Sequence, residues 1–314
     1  MLIVVAGASG NMGLTVVRSA LKRGHQVRAV GRAISKLPDG ICQKIESFVQ
    51  IDDFHDIRNL EIACAGADAV ICAYGPDPVL LLDGQLALLR AAERAGIKRF
   101  HAACWTLNWS NMPLGTVESY DPLIAFSRQA ALTSTMKPLY VFCGVFASAL
   151  FGRPGAGSLQ DESAVWIHGN DGKRTLRVIG DGTTVTPFTL EAEVAEFSLA
   201  IITSDDAENG GYYEFCSDEF TFQHLAEAYS RIRGTKCSLH QVMTIDDCKQ
   251  AVVHARASAD QAGDIHTRWK GYIGLVYGLC FAEGIYNPGP KHVTKHPDVS
   301  RTCIEDFIRD NTWV

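Results

Sequence analysis

Short apolar runs alternate with segments of helical spacing through the first 150 residues. The runs are Leu2–Ala6, Gln26–Val30, Phe48–Ile51, Ala69–Ala73, Lys98–Ala103 and Leu139–Cys143, each the length of a strand buried on both faces. After the first run, Leu14, Val17 and Leu21 recur at helical intervals, and Gly24 is placed to end that helix. Leu82, Leu86, Leu89 and Ala92 repeat the pattern over Leu81–Ala95, which Gly96 closes. Parallel neighbours need return connections of this length, so the pattern predicts a doubly wound parallel sheet of six strands.

Beyond Phe151 the character changes. Gly152 through Gly172 holds five glycines besides Pro154 and reads as an irregular lid or substrate-side loop. Thr175–Thr189 reads as two extended segments around Gly180-Asp181-Gly182. Helices are expected over Glu191–Thr203, Phe222–Arg233, Ile245–Ala257, Tyr272–Glu283 and Arg301–Arg309. The expected fold class is therefore α/β, with a smaller mixed α/β C-terminal substrate domain after the sheet domain. The boundaries read as 1–150 for the sheet domain, joined by 175–203, with 151–174 and 204–314 forming the smaller one.

Composition narrows the function classes. At 314 residues with 47% hydrophobic and 20% charged side chains, a packed core is available and disorder is excluded. A formal charge of −6 is the wrong sign for a surface that neutralises many phosphates, so no nucleic-acid partner is expected. The ten cysteines lack the paired spacing of zinc ribbons, and several lie inside apolar runs. They read as reduced, structural thiols of a cytoplasmic protein, and no metal site is expected. His254 and His266 are too isolated to be ligands. The longest apolar stretch, Tyr272–Ala282, is too short to span a bilayer, so no membrane partner is expected. Asn108-Trp109-Ser110 is a glycosylation sequon without meaning in that compartment.

The sharpest motif is Gly7-Ala8-Ser9-Gly10-Asn11-Met12-Gly13, between the first strand and the first helix. Gly7 permits the tight exit from the strand, Gly10 lets backbone approach a pyrophosphate, and Gly13 lets helix and strand pack closely. The helix start presents N–H groups to the anion. Gly7, Ser9, Gly10, Asn11, Met12 and Gly13 are the expected dinucleotide cradle of a Rossmann-type fold. Where an NAD-binding chain places a carboxylate for the ribose 2′-hydroxyl, this one has Arg32, with Lys36 one turn on. A guanidinium there suits a 2′-phosphate, so NADP(H) is the expected cofactor. Asp52 after the third strand is a candidate for the adenine region, although Asp52-Asp53 equally suits a helix cap. Tyr74, after the fourth strand, is expected at the mouth of the cofactor cleft.

With these residues in place the chain resembles the NmrA-like, isoflavone-reductase-like group of atypical short-chain dehydrogenases. The resemblance covers the glycine loop with Arg32, Ala92–Phe100, Gly144-Val145-Phe146 and Val178–Gly182. The tail from His296 to Ile308 is similar to fungal members. Such a resemblance implies an N-terminal Rossmann domain, NADPH, and a substrate cleft between two domains. Reductases of this group usually carry a lysine near the start of the helix before strand six. Here that position falls near Ala125, and no lysine occurs between Lys98 and Lys137. A Tyr-x-x-x-Lys pair is missing too, since Ile124 follows Tyr120 by four residues.

Reduction of a carbonyl or enone needs a proton donor. Glu118, Tyr120 and Asp121 cluster before that helix, and Tyr120 is the candidate donor if its ring faces the cleft. His101 reads as a buried structural histidine and Arg128 as a helix-surface residue. Trp105, Trp109, Phe146 and Phe188 are candidates for an aromatic wall around a hydrophobic small molecule. Three functions remain open. The first is an NADPH-dependent oxidoreductase acting on a bulky apolar molecule, a tailoring step in fungal secondary-metabolite biosynthesis. The second is a non-redox isomerase or cyclase, pericyclases included, with NADP(H) as a wall of the pocket. The third is a dinucleotide-sensing regulator. A homodimer is a candidate assembly.

Overall fold

A computed structural model describes residues 1–152, 165–168, 173–259, 268–285 and 296–314. Its strands are β1 (Leu2–Ala6), β2 (Gln26–Gly31), β3 (Ser47–Gln50), β4 (Ala69–Cys72), β5 (Phe100–Thr106) and β6 (Leu139–Cys143) in the first half. There follow β7 (Val145–Phe146), β8 (Trp166–His168), β9 (Arg174–Ile179), β10 (Thr186–Thr189), β11 (Gly211–Phe215), β12 (Asp218–Phe220) and β13 (Cys237–Met243). A seven-stranded sheet in the order β11-β6-β5-β4-β1-β2-β3 forms the centre. Every pairing in it is parallel. The order reverses between β1 and β4, and such a switch point leaves a crevice beyond the carboxyl ends of the strands.

Helix Asn11–Lys22 buries Val16, Val17 and Ala20 on the sheet, and Gly24, at φ +77°, closes it. Helix Gln85–Arg94 ends at Gly96 in the same way, with its N–H donated to Glu93 O at 3.0 Å. A π-helical turn, Leu80–Gly84, leads into it. Two smaller sheets, β12-β10-β7 and β13-β9-β8, build the C-terminal lobe.

The lobes divide differently from the sequence reading. Strand β11 lies in the part assigned to the smaller domain, yet it extends the central sheet beside β6. Of segment 175–203, helix Glu191–Ile202 packs on the central sheet with Ala195 and Leu199 in its core, whereas β9 belongs to the small sheet with β8 and β13. Tyr212-Tyr213-Glu214 carries no apolar run, and such an edge strand is invisible to a search for continuous hydrophobicity. The expected lid lies mostly outside the described residues, which retain only Gly152 and 165–168 of it. No helix among the described residues is long and apolar enough to cross a membrane.

Candidate active site

The cleft opens where β4 and β5 part. Their ladder covers only Val70–Phe100 and Ile71–His101, and the pairing of β5 with β6 shifts register between His101 and Trp105. The N–H of Ala103 is instead donated to Oε1 of the fully buried Gln85 at 2.8 Å. A side chain thus replaces a sheet bond, and the backbone beyond it splays to leave a cavity of about 440 Å³. The glycine loop, Ala73–Pro76, Trp105, Thr106, Gly144–Phe146, Ser119, Tyr120, Trp269 and Tyr277 line it. None of the described lining residues is charged.

Glycine is required in the loop by contact distances. A Cβ on Gly7 would lie 2.5 Å from Ala73 O, and Gly7 holds φ +79°. One on Gly13 would lie 2.1 Å from Gly7 O, so a methyl group there would force helix and loop apart. The helix that follows has Gly10 as its cap, with no side-chain capping bond and no acid in its first turn. Its N–H groups and dipole therefore face the cleft unneutralised, as an anion site requires. Arg32, Lys36 and Asp52 are exposed beyond β2 and β3, and none of them makes an ion pair among the described residues. Asp53 accepts the N–H of His55 at 2.7 Å, and Asp56 caps helix Ile57–Cys64 through Asn59 N.

Tyr74 lines the cleft with its ring, but its hydroxyl is buried with no hydrogen-bond partner among the described residues. Burial and the neighbouring Cys72 and Cys64 push its pKa far up, so it does not ionise. His101 Nδ1 donates to Ala102 O (2.7 Å), and its Nε2 is hydrogen-bonded to Ser198 Oγ (3.1 Å). Burial lowers its pKa to about 4, so it is a neutral structural histidine.

Two of the four aromatic candidates line the cleft. Phe146 does so, and Trp105 does while its Nε1 donates to Ser198 Oγ at 2.9 Å. Trp109 does not: it is 1% exposed, with edge contacts to Tyr140, Phe142 and Tyr212. Phe188 is likewise fully buried, on β10 against Phe220 and Phe307. Composition cannot separate a wall from a core filler, since both are large apolar side chains on strand ends.

The acidic cluster is also reassigned. Glu118 accepts two bonds from Arg256, at 2.6 and 3.2 Å, and one from Tyr272 Oη at 2.9 Å. Asp121 accepts the N–H of Gly115 with both oxygens, at 2.9 and 3.1 Å, and burial raises its carboxyl above the usual range. Both carboxylates are committed to holding the turn and neither lines the cleft. Tyr120 does line it, 7% exposed, its ring centroid 6.1 Å from that of Tyr277.

Sequence reasoning missed Ser119, Trp269 and Tyr277. Ser119 Oγ and Tyr277 Oη are hydrogen-bonded at 2.8 Å. Tyr277 lies on helix Ile273–Ala282, whose nearly uniform apolarity conceals which face turns to a cavity. Arg128 is exposed on its helix and His254 on Ile245–Ala259; His266 lies outside the described residues. No metal-binding group of three is present among the described residues.

Residues 7–106 match a family model described as NAD(P)H-binding. The isoflavone reductase homolog IRL of Zea mays is 27% identical over 221 residues, 67% of each chain. The chain is thus similar to isoflavone-reductase-like proteins. The bifunctional pinoresinol-lariciresinol reductase of Linum corymbulosum is 23% identical over 323 positions, covering 98% of this chain and 96% of that one. The binary complex of leucoanthocyanidin reductase with NADPH from Vitis vinifera shares the fold at a TM-score of 0.73 and 18% identity, over 99% of both chains. Residues 7–106 carry the NAD(P)H-binding domain of that family model, and a loop that a Cβ would close, before an uncapped helix, fits such a dinucleotide.

Proposed function

We propose that the chain is an NADPH-dependent oxidoreductase reducing a bulky, neutral, largely apolar small molecule. We place it as a tailoring enzyme of secondary-metabolite biosynthesis, of the fungal kind that its tail resembles. The carrying observation is the cavity itself: one uncharged cleft runs from the glycine loop to a chamber edged by Trp105, Phe146, Tyr120 and Tyr277. When bound, NADPH supplies a hydride. The loop from Gly7 to Gly13, Ser9 included, would hold the pyrophosphate, Arg32 and Lys36 the 2′-phosphate, and Asp52 the adenosine side. Tyr74, Trp105 and Phe146 give the chamber apolar walls that exclude water and orient a flat substrate.

A second reading, a non-redox isomerase or cyclase with NADP(H) as a pocket wall, is favoured by one observation. Helix Asp121–Thr133 carries no lysine, so the group's usual electrophile is missing. Loading the purified chain with NADPH and offering polycyclic aromatic ketones and enones tests the choice. Loss of the nicotinamide absorbance with formation of the reduced product supports reduction. Conversion of substrate at constant absorbance, or with NADP⁺, transfers the assignment to the non-redox reading.

A further inference from the structure

The carboxamide of Gln85 is fully buried, and both of its ends are used. It sits where the π-helical turn Leu80–Gly84 passes into helix Gln85–Arg94. At that junction the Gln85 N–H turns to Leu80 O and Leu82 O, and the side-chain Nε2 donates to Leu81 O at 2.5 Å. The other end, Oε1, accepts the N–H of Ala103 at 2.8 Å. Leu81 and Ala103 both line the cleft, and Trp105 and Thr106, which line it too, follow Ala103 on β5. The β4–β5 ladder does not reach this far, ending at Ile71–His101. One planar group therefore joins two walls of the cavity from behind, with a donor for one and an acceptor for the other.

We propose that Gln85 sets the width of the cleft, as a positioning residue that holds Ala103 and Trp105 at a fixed distance from the π-helical turn, so that the chamber admits a flat, uncharged ring system. The inference deepens the reductase reading by naming the device that selects the substrate's shape, and it rests on that reading for the substrate class alone. A methionine of similar length removes both bonds and leaves the strand untethered. A glutamate keeps them only while it is protonated: its O–H donates to Leu81 O, and its carbonyl oxygen accepts from Ala103. The carboxylate has no proton to give and turns an acceptor toward an acceptor. Burial favours the neutral form, so the Gln85→Glu carboxyl should titrate above the ordinary value of about 4.3.

The test uses prodan, a flat, neutral naphthyl ketone whose emission moves to shorter wavelength in apolar surroundings. It is titrated onto the NADP⁺-loaded protein, where no reduction occurs. Gln85→Met is expected to bind prodan about 10-fold more weakly than wild type, with NADP⁺ affinity unchanged. Gln85→Glu should match wild type near about pH 5 and approach the methionine variant as pH rises to about 8, while wild type stays level. If Gln85→Met fails to fold, the pH course of Gln85→Glu carries the test alone. Undiminished prodan binding by Gln85→Met overturns the proposal, as does a Gln85→Glu affinity that does not fall with pH. A parallel loss of NADP⁺ affinity also overturns it, because Gln85 would then support the whole fold and not the gap. With NADPH and an aromatic enone, KM of Gln85→Met should rise more than kcat falls. A wild type that binds prodan yet never consumes NADPH defeats the reductase reading while the positioning role stands.

Discussion

Arg256 grips Glu118 with both ends of its fork, Nε to Oε1 at 2.6 Å and Nη2 to Oε2 at 3.2 Å. The same Nη2 also donates to Thr116 O at 3.0 Å. Arg256 stands on the C-terminal helix Ile245–Ala259, and Glu118 begins the turn that carries Ser119 and Tyr120. One ion pair therefore ties that helix to the turn whose Ser119 and Tyr120 line the cavity.

Removing that grip has a readable cost. Arg256→Ala should lower stability by about 1–3 kcal/mol, because Glu118 stays largely buried with Tyr272 as its remaining side-chain partner. The arginine is 34% exposed, and solvent screening keeps the loss toward the lower end. Arg256→Lys should recover only part of it, since a single ammonium cannot make the two parallel bonds. Urea midpoints for the three proteins measure this, and equal midpoints would reduce the pair to a surface contact.

Arg32 bears on cofactor choice. Its side chain is exposed at the end of β2 with no protein partner among the described residues, free to take a phosphate. Arg32→Ala should weaken NADPH about 10- to 100-fold and NADH hardly at all. Titration by nicotinamide fluorescence compares the two, and an equal loss for both would refute the 2′-phosphate assignment.

The three loop glycines should not respond alike. Gly13→Ala places a methyl carbon 2.1 Å from Gly7 O, so loss of cofactor binding and a fall of several °C in Tm are expected. Gly10→Ala meets that same oxygen at 3.3 Å, a contact that a small shift relieves. It should fold normally and lose NADPH affinity only, because the methyl occupies space that a pyrophosphate needs. Thermal melts with and without NADPH separate the two cases.

His101 predicts a pH dependence with a definite sign. Its folded pKa, about 4, lies below the ordinary 6.5, so between those values the unfolded chain binds the extra proton. Stability from this residue is then fully present above about pH 6.5 and lost as pH falls toward 4, by about 3 kcal/mol in all. His101→Gln should flatten that part of the urea-midpoint profile relative to wild type. An identical slope in both proteins would show that the histidine takes up its proton without penalty.

Local order along the chain was enough for the nucleotide half of the molecule. Strand, glycine turn and helix are contiguous, and each residue's duty there (a positive φ at Gly7, a missing Cβ at Gly13) is imposed by neighbours a few positions away. The six-strand sheet follows from the same alternation, because a crossover helix leaves parallel pairing as the only economical return. Arg32 can be proposed for the same reason, from its set distance past the loop. The wall of the cavity facing the C-terminal lobe was not legible in that way. Ser119 and Tyr277 are 158 positions apart, and only the docking of two lobes brings their oxygens into contact. Glu118 and Asp121 look like acid–base candidates in sequence because they flank a tyrosine; Arg256 and the Gly115 amide turn them into anchors. Trp109 and Phe188 are as apolar as Trp105 and Phe146, and burial alone assigns the first two to the core. Periodicity specifies which face of an element is apolar, whereas whether that face meets another element or an open cavity is decided by packing over the whole chain.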